Sequence, residues 1–313
     1  MQNCFAGRVS AILLILLAAY ASDLFPATIR PTPTGRLVDA GGYRVHLYCT
    51  GSGNPAVIVV GGGFSFDWGL VQPAIAQTTR ICTYDPSGTA WSDPFPSKTP
   101  GRAQTCAERA GEIHNMLANA PVAGPYVLVG YSIGGLYARL YAATYPKDVG
   151  AMVLVDHAFL EPGGAGQTPS HAASANSDAQ TTLPTVISQT PVVMGIEDDR
   201  NFGNLPRRNQ ELHAWAMSAN PVRPTPQMAA ECFDALSMAT AHRFQPLGNT
   251  PLIVISTLND SPEYGELQQS LLSQSGDSIH MVAGNSTHMV IVDEPEVVIE
   301  AIRHAVGSVR GRR

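Results

Sequence analysis

Ser132 lies in Gly130-Tyr131-Ser132-Ile133-Gly134, a G-x-S-x-G pattern. The pattern follows an apolar run, Tyr126-Val127-Leu128-Val129, and precedes a helix-like segment at 136–145. A strand that turns sharply into a helix lifts the middle side chain out of the sheet, where a base can reach it. Glycines flank such a serine because a Cβ at either position would collide with neighbouring backbone. A hydroxyl is a poor nucleophile until a base takes its proton. With 29 glycines in the chain the pattern alone is weak evidence, so its placement between strand and helix carries the weight.

The base expected beside such a serine is a histidine oriented by a carboxylate. His288 sits in a loop directly after the last strand-like run, 279–282, and ahead of a final helix opened by Asp293-Glu294-Pro295. Most of the nine histidines are read as ordinary surface or core residues, and His280, inside that last strand, as structural. Two carboxylates compete for the third place. Asp260 follows Leu252-Ile253-Val254-Ile255-Ser256 in a loop at a strand end, and Asp156 ends the run Met152-Val153-Leu154-Val155. Asp260 is preferred and Asp156 is the alternative; for each, the competing reading is a loop carboxylate bonded to backbone. An oxyanion would be held by two backbone N–H groups. Ile133, just after the serine, supplies one, and Gly63, in the turn Gly61-Gly62-Gly63-Phe64, the other, with Phe64 in reserve. No Gly-Lys-Ser/Thr follows these glycines, which argues against a phosphate loop. No His/Cys/Asp set has metal-ligand spacing, so neither a metal nor a cofactor is expected.

These groups need a scaffold. Short apolar runs at 56–60, 80–84, 126–129, 152–155, 252–255 and 279–282 alternate with helical periodicity at 105–117, 136–145 and 295–306. That order predicts an α/β fold with a mostly parallel sheet flanked by helices on both faces. An edge strand at 42–49 alternates polar and apolar residues. The interval between 155 and 252 breaks the spacing and carries two helix-like pieces, 209–219 and 227–242. Leu212, Trp215 and Ala216, and then Met228, Cys232 and Leu236, recur at helical spacing, so an inserted helical cap is expected over 161–245. The core is assigned to 37–160 and 246–313.

At the N-terminus, Arg8 precedes an apolar run from 9 to 19, and Ala19-Tyr20-Ala21 has the form of a signal cleavage site. Residues 1–21 are read as a signal peptide, with an uncleaved anchor as the alternative, and 22–36 as a linker. Either form places the remaining chain outside the cytoplasm, secreted or periplasmic, with membrane contact only if the segment stays attached. Cleavage would leave Cys49, Cys82, Cys106 and Cys232. A Cys106–Cys232 bridge is expected, with Cys49 and Cys82 read as buried thiols. Net charge is -6 with a sequence pI of about 5.8, which excludes a basic nucleic-acid surface. Arg310, Arg312 and Arg313 are read as a solvated tail.

With these residues in view, the chain resembles the α/β-hydrolase fold superfamily, and within it exported bacterial serine esterase-like members. The resemblance rests on Val45-His46-Leu47-Tyr48-Cys49-Thr50-Gly51, on Phe66-Asp67-Trp68, and on Tyr84-Asp85-Pro86-Ser87-Gly88-Thr89-Ala90-Trp91-Ser92-Asp93. It continues through Gly124-Pro125-Tyr126 to the Ser132 turn and Leu154-Val155-Asp156. Similar proteins commonly carry histidine where this chain has Tyr131, and a His-Gly pair where it has Gly61-Gly62. The resemblance implies a carboxylesterase-like serine hydrolase that cleaves a small-molecule ester through a Ser-His-Asp triad and an acyl-enzyme. Two rivals stand beside it. An aminopeptidase-like amide hydrolase would use Glu197, Asp198 or Asp199 to hold a substrate amine. A non-catalytic ligand-binding protein would use the same fold without the chemistry.

Overall fold

The computed structural model describes residues 30–99, 102–157, 200–219, 226–241, 245–258 and 262–312. The expected signal segment 1–21, most of the linker and the first part of the insertion lie outside the described residues, as does Asp260. Eight strands form one sheet: β1 (Arg36–Asp39), β2 (Arg44–Thr50), β3 (Val57–Val60), β4 (Ile81–Asp85), β5 (Tyr126–Tyr131), β6 (Val149–Val155), β7 (Leu252–Thr257) and β8 (Ser278–Ala283). Their order is β1-β2-β4-β3-β5-β6-β7-β8. The β1–β2 and β2–β4 pairs are antiparallel and every other pair is parallel.

The central strands are apolar throughout because both of their faces are covered. Ile58, Val60, Leu128, Met152, Leu154, Leu252 and Val254 enter one core, and Val57, Val59, Val127, Val129, Ala151, Val153, Val155, Ile253 and Ile255 the other. The first core is closed by helices α1 (Cys106–Asn119) and α2 (Gly134–Thr144). Thr105 opens α1 with a capping box, its side chain accepting from Glu108 N–H while the Glu108 carboxylate reaches back. Two further helices follow β6, α3 (Arg207–Ala219) and α4 (Pro226–Thr240); α5 (Pro262–Ser270) follows β7. The second core is closed by α6 (Pro295–Gly311), which buries Val298, Ala301, Ile302, Ala305, Val306 and Val309. That spacing is one face of a helix.

Between β6 and β7, the apolar faces read from the sequence pack as helices. Leu212 and Ala216 of α3 join Phe64, Phe66, Ala90 and Trp91, while Cys232, Phe233 and Leu236 of α4 pack with α1 and α2. A Cys106–Cys232 disulfide ties α4 to α1. Cys49 and Cys82, expected as thiols, are bridged as well. They face one another in the antiparallel β2–β4 register, a pairing that only the register reveals. Arg310 and Arg312 are not a loose tail: Arg310 donates to the carbonyls of Asn54 and Thr78, and Arg312 to that of Asn249, while Arg313 lies outside the described residues. Among the described residues, no helix is long and apolar enough to cross a membrane.

Candidate active site

β5 delivers Ser132 to the C-terminal edge of the sheet. The turn is tight enough to hold Ser132 at φ 55°, a left-handed conformation that costs a non-glycine residue energy. Two glycines make it feasible. A Cβ on Gly130 would come within 2.6 Å of Gly135 Cα, and one on Gly134 would overlap the Val60 carbonyl. The turn is pinned from below by Ser132 N–H donating to Val155 O at 3.1 Å.

His288 reaches the serine from the loop after β8, with Nε2 2.9 Å from Ser132 Oγ. Its Nδ1 lies 2.5 Å from Asp156 Oδ2. Asp156 is the first residue beyond β6, at φ 41°, and its side chain is 2% exposed against 36% for His288. The preference for Asp260 is therefore corrected. Asp156, the alternative, takes Nδ1 and Ser132 takes Nε2, so neither ring nitrogen is left for a second carboxylate. The other Asp156 oxygen accepts from Gln268 Nε2 of α5 at 3.1 Å. Sequence reasoning missed Gln268, which carries no local motif.

Two more groups support the hydrogen-bonded Ser132–His288–Asp156 set. Tyr131 stacks against the His288 ring, centroids 5.3 Å apart, and its hydroxyl donates to the His288 carbonyl at 3.1 Å. The tyrosine that departs from the family pattern thus braces the histidine's own backbone. His157 follows Asp156 and is wholly buried. Arg139 Nη1 lies 3.3 Å from its Nε2; a guanidinium can only donate, so Nε2 accepts and Nδ1 carries the proton. That proton goes to Ser132 O at 2.9 Å. Burial, reinforced by the Arg139 charge and opposed by the Ser132 carbonyl, pushes the His157 imidazolium pKa down to about 3. His157 is neutral at pH 7 and ties the Ser132 backbone to the segment that bears Asp156. The sequence signal was the His beside Asp156 at a strand end, and it was passed over.

The glycine turn lies against the nucleophile: a Cβ on Gly62 would be 2.9 Å from Ser132 Cβ. Among the described residues, the N–H groups of Gly63 and Ile133 donate to no protein acceptor. Phe64, the reserve donor, is ruled out, because its N–H is committed to Asp67 Oδ2 at 2.8 Å. His280 bonds Ser256 Oγ at 2.8 Å between β8 and β7, a structural contact as expected. Glu197, Asp198 and Asp199 lie outside the described residues.

The chain belongs to the alpha/beta hydrolase family, whose model matches residues 56–301. Its eight-stranded, mostly parallel sheet is the fold of that family. It is similar to an uncharacterized protein of Schizosaccharomyces pombe, 33% identical over 143 residues, which are 36% of this chain and 26% of that protein. The chain thus spans about a quarter of that relative. It is also similar to the uncharacterized protein YqjL of Bacillus subtilis, 25% identical over 258 residues, covering 80% of this chain and 83% of that protein. Among solved structures, a thermophilic esterase from Thermogutta terrifontis superposes with a TM-score of 0.60 at 19% identity, covering 88% of this chain and 98% of the esterase. At that identity the likeness speaks for the fold.

Proposed function

We propose that the protein is a serine hydrolase that cleaves small-molecule carboxylic esters through an acyl-enzyme. The observation that supports this most is the unbroken chain of hydrogen bonds from Ser132 through His288 to Asp156. Ser132 Oγ attacks the carbonyl carbon as its proton passes to His288 Nε2. Asp156 holds Nδ1–H and stabilises the imidazolium. The N–H groups of Gly63 and Ile133 face the developing oxyanion, the position at which fixed dipoles lower a barrier most. Collapse expels the alkoxide, which takes the proton from His288 and leaves as alcohol. Water then loses a proton to His288, attacks the acyl carbon, and releases the carboxylic acid with Ser132 restored. Every proton is accounted for by His288, so the reaction requires no cofactor. The esterase fold of the Thermogutta terrifontis protein is in keeping with this reading.

The site of action we propose is outside the cytoplasm, secreted, periplasmic or anchored on that side. Two disulfides support an oxidising compartment, as does the Arg8-led apolar segment.

Turnover of a panel of p-nitrophenyl acyl esters tests the assignment, with Ser132→Ala, Asp156→Asn and Asp260→Asn measured beside the wild type. Asp156→Asn leaves His288 in the wrong tautomer and is expected to lower kcat roughly 1,000- to 10,000-fold. Asp260→Asn is expected to stay within about two-fold, because both ring nitrogens of His288 are already taken by Asp156 and Ser132. A large loss in Asp260→Asn with an active Asp156→Asn would overturn the assignment of the acid.

A further inference from the structure

The turn that presents Gly63 is gripped by two buried carboxylates. Asp67 Oδ2 accepts from Phe64 N–H at 2.8 Å, and Asp85 Oδ1 accepts from Ser65 N–H at 2.7 Å. Asp85 of β4 is in turn paired across 2.8 Å with His46, its register partner on β2. Asp67 is paired differently. Its partner is His213, 146 residues away on α3, with Nδ1 2.8 Å from Asp67 Oδ1.

The surroundings of His213 make this contact its main polar commitment. His213 is 8% exposed, and its ring lies on Phe202 with centroids 4.1 Å apart and meets the edge of Phe64 at 5.5 Å. Among the described residues its buried Nε2 has no hydrogen-bond partner. A polar ring in an apolar slot is costly unless the bond it does make matters. Asp67 also lies where a Gly63 side chain would be: a Cβ there would come within 2.5 Å of Oδ2. The carboxylate therefore sits against both residues of the turn and takes Phe64 N–H, while Gly63 N–H donates to no protein acceptor among the described residues. A second bond from α3 reaches the same segment, Asn209 Nδ2 to Phe66 O at 2.6 Å.

We infer that Asp67 and His213 form a positioning pair that sets the oxyanion turn, so that helix α3 of the insertion completes the site rather than only covering it. The inference rests on the ester-hydrolase reading, because it assigns Gly63 N–H to the oxyanion. His213 acts through Asp67, and Asp67 through the backbone of 63–64; neither touches the reacting atoms.

The variants that test this are His213→Phe, which suits the aromatic slot but donates nothing, and His213→Asn, whose amide can donate from near the Nδ1 position. Asp67→Ala and the Asp67→Ala/His213→Phe double variant complete a cycle. His213→Phe is expected to lower kcat on a p-nitrophenyl ester about ten-fold, in the range of weakened oxyanion donors, with KM within two-fold. Its affinity for a trifluoromethyl ketone, which forms a hemiketal oxyanion with serine, should fall by a similar factor. His213→Asn should recover most of both. In the Asp67→Ala background, His213→Phe should add less than two-fold, since its partner is already gone. A rise in KM alone, multiplicative losses in the cycle, or His213→Asn no better than His213→Phe would each overturn the pair's role. Should Asp67→Ala fail to fold, the comparison of the two His213 variants decides. Failure of the underlying reading looks different: Ser132→Ala would hydrolyse the ester as fast as the wild type.

Discussion

Replacing His157 by glutamine should flatten the acid sensitivity of the fold. In the native state His157 is wholly buried and its pKa lies at about 3, whereas in the unfolded chain it titrates near the ordinary value of 6.5. Below pH 6.5 the unfolded chain therefore binds a proton that the native state refuses. A state that binds more protons gains as pH falls, so unfolding is favoured by acid throughout the window from 6.5 to 3. This depressed histidine contributes stability at neutral pH that is lost on acidification, the reverse of a histidine that gains a carboxylate partner. Each pH unit within the window is worth about 1.4 kcal/mol. From pH 7 to pH 5 the loss through His157 comes to about 2 kcal/mol. Urea unfolding followed by tryptophan fluorescence at both pH values, for wild type and His157→Gln, measures it as a difference of differences. Other titrating groups, common to both proteins, cancel. The wild type should lose about 2 kcal/mol more than the variant between pH 7 and 5. Equal losses would refute the claim that His157 is held neutral, and with it the tautomer assigned from Arg139.

Three further outcomes follow from the packing beside His288 and His157 and from the α1–α4 cross-link. Tyr131→Phe removes the hydroxyl that holds the His288 carbonyl while keeping the stacked ring, so kcat should fall roughly five-fold, the equivalent of one net hydrogen bond of about 1 kcal/mol, with KM little changed in steady-state assays. Gly135→Ala should cost about 1–3 kcal/mol in urea unfolding, because its Cβ would overlap the His157 ring and that ring cannot retreat without releasing Ser132 O. Replacing Cys106 and Cys232 together by serine opens a cross-link between residues 126 apart in sequence and should lower stability by about 2–5 kcal/mol, read in the same unfolding assay.

The proposed nucleophile and base were legible because their signals are local: a glycine-flanked serine between a strand and a helix, and a histidine in the loop after the last strand. The parallel sheet was legible for the same reason, since doubly buried strands read as unbroken apolar runs. The acid was harder. Asp156 and Asp260 follow neighbouring parallel strands, β6 and β7, so sequence position places both at the same sheet edge. What selects Asp156 is its backbone at φ 41° and the Gln268 amide arriving from α5, 112 residues further along. Neither leaves a trace in a local pattern. Phe64 failed as a reserve donor because Asp67, three residues on, takes its N–H, a contact that depends on how the turn folds. Cys49 and Cys82 sit in strands whose antiparallel register had to be known before they could be paired. Arg310 and Arg312 looked solvated by their place at the chain end, yet they satisfy carbonyls of loops that return to the α6 terminus.

The most direct test of an activated serine is exposure of the purified protein to a fluorophosphonate, read by intact mass, with Ser132→Ala alongside. A single adduct on the wild type that vanishes in the variant is the predicted result. It requires a hydroxyl made nucleophilic by its base and a phosphonyl oxygen held by the turn. A folded wild type that takes up no adduct, or a Ser132→Ala variant that is labelled equally, would contradict the account and favour a protein that binds ligands on this fold without turning them over.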